Sequence, residues 1–148
     1  MKKIVTQTAL KNGACAVGIV RARIFDELDG ILKKRGRVAL AEQDYEKRIN
    51  PFLIMPECRS IIVCLFSYCI AEKSQISEYA MGDDYHTVIK DRLLGVCEVL
   101  EEKGYKAMTF SDNSPLSDRH LAYLAGLGFF GKNTMLINAE YGSKIFIG

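Results

Sequence analysis

The sequence lacks the features that would place a chain in or across a membrane. No apolar run approaches the roughly 20 residues that a spanning helix needs. The start of the chain, residues 1–6, has neither the apolar core nor the small-residue cleavage site of a signal peptide. We therefore expect no membrane partner and a cytoplasmic location.

The sequence also lacks the residue spacings that hold metals. Its cysteines include no Cys-x-x-Cys pair, and it has only two histidines, His86 and His120, which do not cluster. We expect buried free thiols, as suits the cytoplasm, and neither structural zinc nor an iron–sulfur cluster held by this chain. The five cysteines are Cys15, Cys58, Cys64, Cys69 and Cys97.

No charge of one sign dominates, because 20 basic and 18 acidic residues leave a net charge of +2. This balance neither suggests nor excludes a nucleic-acid partner. One local basic run occupies residues 33–37. It is interpreted as the solvated end of a helix that Gly36 terminates, with contact to RNA phosphates as the alternative.

The hydrophobic content of 49% is enough for a core, and the length of 148 residues favours a single domain over residues 1–148. Strands alternating with helices predict an α/β fold with a mixed β-sheet flanked by helices. The chain stops directly after an apolar strand, which favours a fragment of a larger protein. Helices are expected at 3–12, 25–34, 86–103 and from Ser114 to about 125, and strands at 15–20, 60–66, 105–110, 134–137 and 143–147.

The segment from Asp112 to Thr134 is the most informative part of the chain. It contains an acid where a predicted strand meets a helix, then three glycines within six residues, followed by a lysine and an asparagine. Asp112 is either a general acid at a pocket or a residue of the helix entry. Arg119 either holds Asp112 or a ligand, or forms a surface ion pair within its helix. The glycine spacing is not that of a Walker A loop or a dinucleotide fingerprint.

A second cluster, residues 79–86, places Gly82 and two acids in a turn before the long helix, which His86 begins. Because a cation is disfavoured at a helix N-terminus, a neutral imidazole is expected there. The alternative is a histidine that only completes the helix entry.

Together these motifs resemble the epoxyqueuosine reductase family, and the resemblance covers essentially the whole chain. The matching patterns are Asp112-x-x-Pro115, Arg119, Ala122, Ala125-Gly-Leu-Gly128, Gly131-Lys-Asn-Thr134, Tyr79-Ala-x-Gly-x-Asp-Tyr-His86, Arg48-Ile-Asn-Pro51, Pro56-Glu-Cys-Arg-Ser60 and Gly13-Ala-Cys-Ala-Val-Gly18. The family implies a cobalamin-binding domain followed by a domain with two [4Fe-4S] clusters. Its reaction reduces the epoxide of epoxyqueuosine in the anticodon loop of tRNA.

The resemblance also implies roles for single residues. Asp112 is the expected proton donor to the opening epoxide. The residues expected to hold cobalamin are Arg48, Tyr85, His86, Arg119, Lys132, Asn133, Thr134, Leu136 and Asn138. No residue of this chain is expected to bind a metal directly. The sequence has no Asp-x-His-x-x-Gly motif, so cobalamin is expected to bind with its lower nucleotide base displaced and no histidine in its place.

The sequence departs from the family in two respects. Asp118 stands where the family usually has Glu, and the cysteine-rich cluster domain is absent from these 148 residues. The chain alone is therefore expected to bind cobalamin without turning over, with an iron–sulfur domain or electron-transfer partner needed for activity. Two alternatives stay open, a non-catalytic corrinoid-binding or electron-transfer module and a related reductase acting on a small molecule.

Overall fold

A three-stranded sheet forms the centre of the protein in the computed structural model, which describes residues 1–36, 42–68 and 82–148. The strands are β1 (Ala16–Arg21), β2 (Ser60–Ser67), β3 (Phe129–Phe130), β4 (Leu136–Ile137) and β5 (Ile145–Ile147). The helices are α1 (Lys2–Lys11), α2 (Asp29–Arg35), α3 (Tyr45–Ile49), α4 (Tyr85–Glu101) and α5 (Asp118–Leu124). A 3-10 turn at Asp26–Leu28 precedes α2, and another at Pro51–Leu53 follows α3.

The central sheet has the order β1-β2-β5, and both of its strand pairs are antiparallel. Strands β3 and β4 form a separate antiparallel pair. The predicted α/β class is confirmed, but the described strand pairs are antiparallel where a mixed sheet was expected. The alternation of strands and helices indicates how the layers stack, and it does not determine the direction in which neighbouring strands run.

Strand β2 lies between two hydrophobic clusters, one on each face of the sheet. Val63 and Leu65 point into a cluster that contains residues of α2 and α5, while Cys64 and Phe66 point into one formed with α1 and α4. Because successive side chains of a strand point to opposite faces, a strand covered on both faces must be apolar throughout. The prediction of a central strand at 60–66 is confirmed.

Helix α4 matches its prediction closely. Ile89, Leu93 and Val96 are buried on the side that faces the sheet. The Asp84 carboxylate accepts a hydrogen bond from the His86 amide and so caps the first turn. After the helix, Gly104 adopts a φ of 79°, in the left-handed region that favours glycine at a helix end.

Between α4 and β3, one predicted element is wrong and another begins later than expected. Residues 105–110 form no strand, and the following helix begins at Asp118 rather than near Pro115. Ser114 does cap locally, since its hydroxyl accepts a hydrogen bond from the Leu116 amide, but this contact closes only a turn. The N-cap residue of α5 is Ser117.

The described part of the basic run, residues 33–36, lies at the end of α2, as predicted. Lys33, Lys34 and Arg35 occupy the last turn, Gly36 ends the helix with a φ of 74°, and Lys33 pairs with Asp29 at 2.7 Å. Residue 37 lies outside the described residues. Among the residues described, no helix is long and apolar enough to cross a membrane.

Candidate active site at the start of helix α4

Asp112 lies in the loop between α4 and α5 and has an unusual backbone conformation. Its φ is 59°, a left-handed value that asparagine and aspartate tolerate better than other residues with side chains. The neighbouring Ser111 amide donates to the Asn113 side chain at 3.1 Å, which fixes the loop on one side. The Asp112 side chain is 66% exposed, so its carboxylate is open to a ligand.

The loop brings Asp112 to the first turn of α4. The Tyr85 hydroxyl donates a hydrogen bond to Asp112 Oδ2 at 2.8 Å, and His86 Nε2 lies 3.5 Å from the same oxygen. The two clusters that the sequence indicated separately therefore meet at one carboxylate oxygen. The side chains of Asp112, Tyr85 and His86, together with Asp84, are called the Asp112 cluster.

Asp84 orients the histidine of the Asp112 cluster. Its Oδ1 atom lies 2.8 Å from His86 Nδ1 and also accepts the His86 backbone amide. A hydrogen on Nδ1 is held by this carboxylate, which leaves Nε2 directed at Asp112. The hydrogen bond that the His86 ring donates to Asp84, aided by the charges of Asp84 and Asp112, raises the pKa of His86 above its ordinary value. The expectation of a neutral imidazole considered only the helix dipole and omitted these two carboxylates.

The Tyr85 ring is held between two other rings. It stacks on His86 with ring centroids 3.9 Å apart and on Phe146 of β5 with centroids 4.1 Å apart. Phe146 in turn packs against the cluster between α1 and α4. The phenol that contacts Asp112 is thus supported by the core, which limits its movement.

Arg119 forms neither the predicted contact with Asp112 nor the alternative ion pair within its helix, among the described residues; contact with a ligand stays a prediction. Its Nη1 atom donates to the backbone carbonyl of Thr134 at 2.8 Å. Thr134 has a φ of 65°, so the arginine supports a strained point in the glycine-rich turn. This turn, residues 131–134, is closed by a hydrogen bond from the Thr134 amide to the Gly131 carbonyl at 2.9 Å.

The turn at 131–134 presents several polar side chains to solvent. Lys132, Asn133 and Thr134 are all exposed. Asn133 Oδ1 accepts the Met135 amide, whereas its side-chain amide has no hydrogen-bond partner among the described residues. The turn therefore offers an ammonium, an amide and a hydroxyl as donors to a ligand.

The other residues expected to bind a cofactor are placed differently. Asn138 uses its side chain in contacts with the backbone, accepting the Glu140 and Tyr141 amides within its own turn and donating to the carbonyl of Leu127, before β3, at 2.7 Å. Leu136 is only 2% exposed and belongs to the core. Arg48 is half-buried in α3, and no hydrogen bond or ion pair joins it to the Asp112 cluster within the described ranges.

The sequence interpretation did not assign a role to Asp84 or Asp118. Asp84 had a recognisable signal, since an aspartate directly before a helix caps its amides and lies next to the first side chains. Asp118 had no such signal, because its shifted pKa results from burial, which the sequence does not show. Burial raises the pKa of Asp118 to about 6, with a further increase from the charge of Asp112, against the effects of a hydrogen bond from Ser114 and the charge of Arg119.

The comparisons with known proteins agree with the motifs. The family model described as Epoxyqueuosine reductase QueG, DUF1730, matches residues 48–113, which include α4 and Asp112. The epoxyqueuosine reductase of Cyclobacterium marinum is 32% identical over 160 residues, covering 98% of this chain and 52% of the relative. That of Gloeobacter violaceus is 37% identical over 150 residues, covering 89% of this chain and 46% of the relative.

Solved structures give the same result for the fold. An epoxyqueuosine reductase with an epoxyqueuosine-modified tRNA stem loop superposes with a TM-score of 0.88 at 28% identity, covering 99% of this chain and 43% of the other. The Bacillus subtilis enzyme, described with its catalytic aspartate loop swung out of the active site, gives 0.84 at 28% identity, covering 99% and 43%. This chain is related to the epoxyqueuosine reductases. The resemblance to the epoxyqueuosine reductases is confirmed, and the chain spans about half the length of the curated relatives it matches.

Proposed function

We propose that this chain is the cobalamin-binding and proton-donating part of a reductase that reduces the epoxide of epoxyqueuosine in tRNA. The observation that carries the proposal is the Asp112 cluster, in which a tyrosine hydroxyl and a histidine nitrogen meet one exposed carboxylate oxygen. The relative solved with a modified tRNA stem loop supports tRNA as the substrate.

The proposed role of Asp112 is to protonate the oxygen of the opening epoxide. When the carbon–oxygen bond breaks, the oxygen becomes an alkoxide, which is a poor leaving group unless a proton reaches it as it forms. A positioned acid typically accelerates such a step by ~10²–10⁴-fold. Two-electron reduction of an epoxide takes up two protons, and Tyr85 and His86 are placed to return a proton to Asp112.

The residues on the glycine-rich turn fit cobalamin by their donor chemistry. The exposed Lys132, Asn133 and Thr134 present hydrogen-bond donors, which suit the amide carbonyls and the phosphate of that cofactor. Arg119 holds the turn in place through Thr134, Arg48 contributes a further guanidinium, and Leu136 and Asn138 shape the backbone behind the turn. When bound, cobalamin supplies electrons to the epoxide.

The two histidines of the chain do not suit a role as a lower cobalt ligand. Each ring nitrogen of His86 lies within 3.5 Å of a carboxylate oxygen, and His120 is 11% exposed with Nε2 at 3.1 Å from Glu27. With both rings held in this way, neither histidine would be available to coordinate the cobalt of a bound cobalamin. The [4Fe-4S] clusters that deliver electrons are proposed to belong to an iron–sulfur domain or partner outside these 148 residues.

The first experiment is a spectral titration of the purified chain with cobalamin. We expect the spectrum of the form without a lower nitrogen ligand, and weaker binding in Asn133→Ala and Lys132→Ala variants. An epoxyqueuosine reductase relative is titrated in parallel. If the cobalamin spectrum does not change at chain concentrations that are sufficient for the relative, the cofactor assignment is wrong.

The second experiment tests the reaction. In the Cyclobacterium marinum reductase, the region that matches this chain is replaced by the chain itself, and the remaining half of the reductase is kept. The product is called the fusion enzyme. Mass spectrometry of an epoxyqueuosine-containing tRNA stem loop should show loss of the epoxide. Turnover of a free epoxide but not of the stem loop would assign the chain to a reductase of small molecules instead.

We also propose a cytoplasmic location. The four described cysteines, Cys15, Cys58, Cys64 and Cys97, are free thiols, which is the state that a reducing compartment maintains.

A further inference from the structure

Three side chains join the segment before α2 to helix α5. The Arg23 guanidinium binds the Glu27 carboxylate with both of its terminal nitrogens, at 2.8 and 2.6 Å. On α5, His120 brings its Nε2 atom to 3.1 Å from Glu27 Oε1. Arg23, Glu27 and His120 are together called the Glu27 bridge. The proton chemistry proposed at Asp112 uses none of them.

The contact between Glu27 and His120 has a fixed direction. The pKa of Glu27 is lowered to about 2, mainly by the hydrogen bond from Arg23 and to a smaller extent by that from His120. An ionised carboxylate can only accept hydrogen bonds, so the hydrogen between the two side chains lies on His120 Nε2. Arg23 holds the carboxylate in place, and His120 donates to it.

The His120 ring is enclosed by the protein. Its side chain is only 11% exposed, and the buried ring of Phe25 meets it nearly at a right angle, with ring centroids 6.2 Å apart. A donor so little exposed to water is destabilised when it has no acceptor. The ring therefore stays where Glu27 can accept its hydrogen.

Helix α5 connects the Glu27 bridge to the glycine-rich turn. Arg119, the neighbour of His120, donates to the Thr134 carbonyl at 2.8 Å. Leu121 and Ala122 bury the helix in the cluster beneath it. Apolar contacts have no direction, so they set the depth of α5 more firmly than its rotation about its own axis. The hydrogen bond from His120 is directional and can fix that rotation.

We propose that His120 and Glu27 are positioning residues for the glycine-rich turn, because they fix the rotation of α5 at which Arg119 meets the Thr134 carbonyl. Thr134 has a left-handed φ of 65°, and such a conformation depends on the contacts around it. Neither His120 nor Glu27 has to touch a ligand for this role. The inference rests on the proposed function only in its last step, the binding of cobalamin by the turn.

The test is the carbon-13 resonance of the Thr134 carbonyl in the chain without cofactor, since this resonance shifts when the oxygen accepts a hydrogen bond. Arg119→Ala gives its position without the bond. We expect His120→Leu and Glu27→Ala to move the resonance most of the way to that position. His120→Gln should keep the parent position, because a glutamine amide can donate to Glu27. Added to Arg119→Ala, His120→Leu should cause no further shift.

Asp29→Ala is the matched control. Asp29 and Glu27 are both 39% exposed and both pair with a base four residues away, but the partner of Asp29 is Lys33 of α2. This variant should leave the Thr134 resonance unchanged. An unmoved resonance in either His120→Leu or Glu27→Ala overturns the proposal, and so does an equal shift in Asp29→Ala. Glu27→Ala, which alters a more exposed side chain, decides the test if His120→Leu does not fold.

A spectral titration separates this inference from the proposed function. Where the parent binds cobalamin, His120→Leu should lose about as much affinity as Arg119→Ala does. If no protein binds cobalamin, the parent included, the cofactor assignment is wrong and the resonance still decides the positioning role. Unchanged affinity in His120→Leu, where the parent binds, overturns the link between the Glu27 bridge and the ligand.

Discussion

At the scale of single residues, the notable feature of the candidate site is the convergence of groups on one oxygen of Asp112. Its backbone is in the left-handed region, and its carboxylate takes a hydrogen bond from Tyr85 while facing His86. A residue in a sparsely populated conformation persists only where its surroundings determine it, and such positions are frequent in active sites.

Asp112→Asn in the fusion enzyme is expected to lower epoxide reduction by about 10²–10⁴-fold while leaving cobalamin binding nearly unchanged. Asparagine also tolerates a left-handed backbone and can accept the Tyr85 hydrogen bond, so the loop should persist. It cannot supply a proton. Rates come from mass spectrometry of the stem loop and affinity from the spectral titration. Near-normal turnover would transfer the proton-donor role to His86, Tyr85 or water, and loss of cobalamin would make Asp112 structural.

Asp84→Asn is expected to lower the pKa of His86. Asparagine caps a helix about as well as aspartate, so α4 should be retained, but the charge that stabilises the imidazolium is removed. Because its folded pKa is raised, His86 favours the folded state below its unfolded pKa and loses this effect as pH rises through the folded value. Titration of the histidine ring signals by nuclear magnetic resonance measures the change, with His120 as the reference. An unchanged His86 titration contradicts the role of Asp84.

The sequence identified most members of this site without the contacts between them. Asp112, Tyr85 and His86 were selected from two motifs, yet their meeting depends on how the loop after α4 returns to its first turn. Of the contacts predicted for Arg119, those with Asp112 and within its own helix are not formed, and the side chain bonds a backbone carbonyl instead. A guanidinium has many possible acceptors, and a backbone carbonyl such as that of Thr134 leaves no mark in the sequence.

At the scale of elements, predictions succeeded where an element's own pattern determines its structure. Helix α4 has an apolar face of three buried residues and an aspartate cap, and β2 is apolar on both faces. The strand predicted at 105–110 failed because a strand also needs a paired neighbour. Its apolar pattern remains, but among the described residues no strand pairs with it.

Gly128→Ala is expected to destabilise the protein by roughly 1–3 kcal/mol through overpacking. An added Cβ would lie 2.5 Å from the Ile137 carbonyl oxygen, and backbone on the neighbouring strand β4 cannot move aside easily. Gly30→Ala in α2 is the matched control, because nothing lies within 4 Å and alanine is a better helix former by up to about 1 kcal/mol. Urea unfolding of both variants makes the comparison. Equal stability of Gly128→Ala and the parent would mean that β3 and β4 separate easily.

At the scale of the whole molecule, the sheet separates two hydrophobic clusters, one that includes residues of α1 and α4 and one that includes residues of α2 and α5. Tyr85 stacks on Phe146 at one end of the sheet, and the glycine-rich turn extends from β3 and β4 beyond α5. Asp118 begins α5 and lines a cavity of about 180 Å³ that residues of β2, of α4 and of 106–110 also line, called the cavity beside β2. Its ionisation therefore couples the stability of the fold to pH.

Asp118 is expected to make the folded state less stable as pH rises from about 4 to about 6. Burial raises the pKa of Asp118 from 3.8 to about 6, so the folded protein holds a proton that the unfolded chain has already released. Stability falls with pH wherever the native state binds more protons. A shift of about two units corresponds to at most roughly 3 kcal/mol, reached by pH 7.

Asp118→Asn should remove this dependence, since asparagine keeps the shape and carries no charge to bury. The free energy of unfolding, measured in urea from pH 4 to pH 7, should be similar for both proteins at pH 4 and increasingly favour the variant above it. Glu27, whose pKa is lowered to about 2 mainly by Arg23, affects both proteins equally, so it cancels in the difference. Parallel curves would mean that Asp118 ionises as easily in the fold as in the unfolded chain. In that case water reaches the carboxylate through the cavity beside β2, and α5 is not held by burial of a neutral acid.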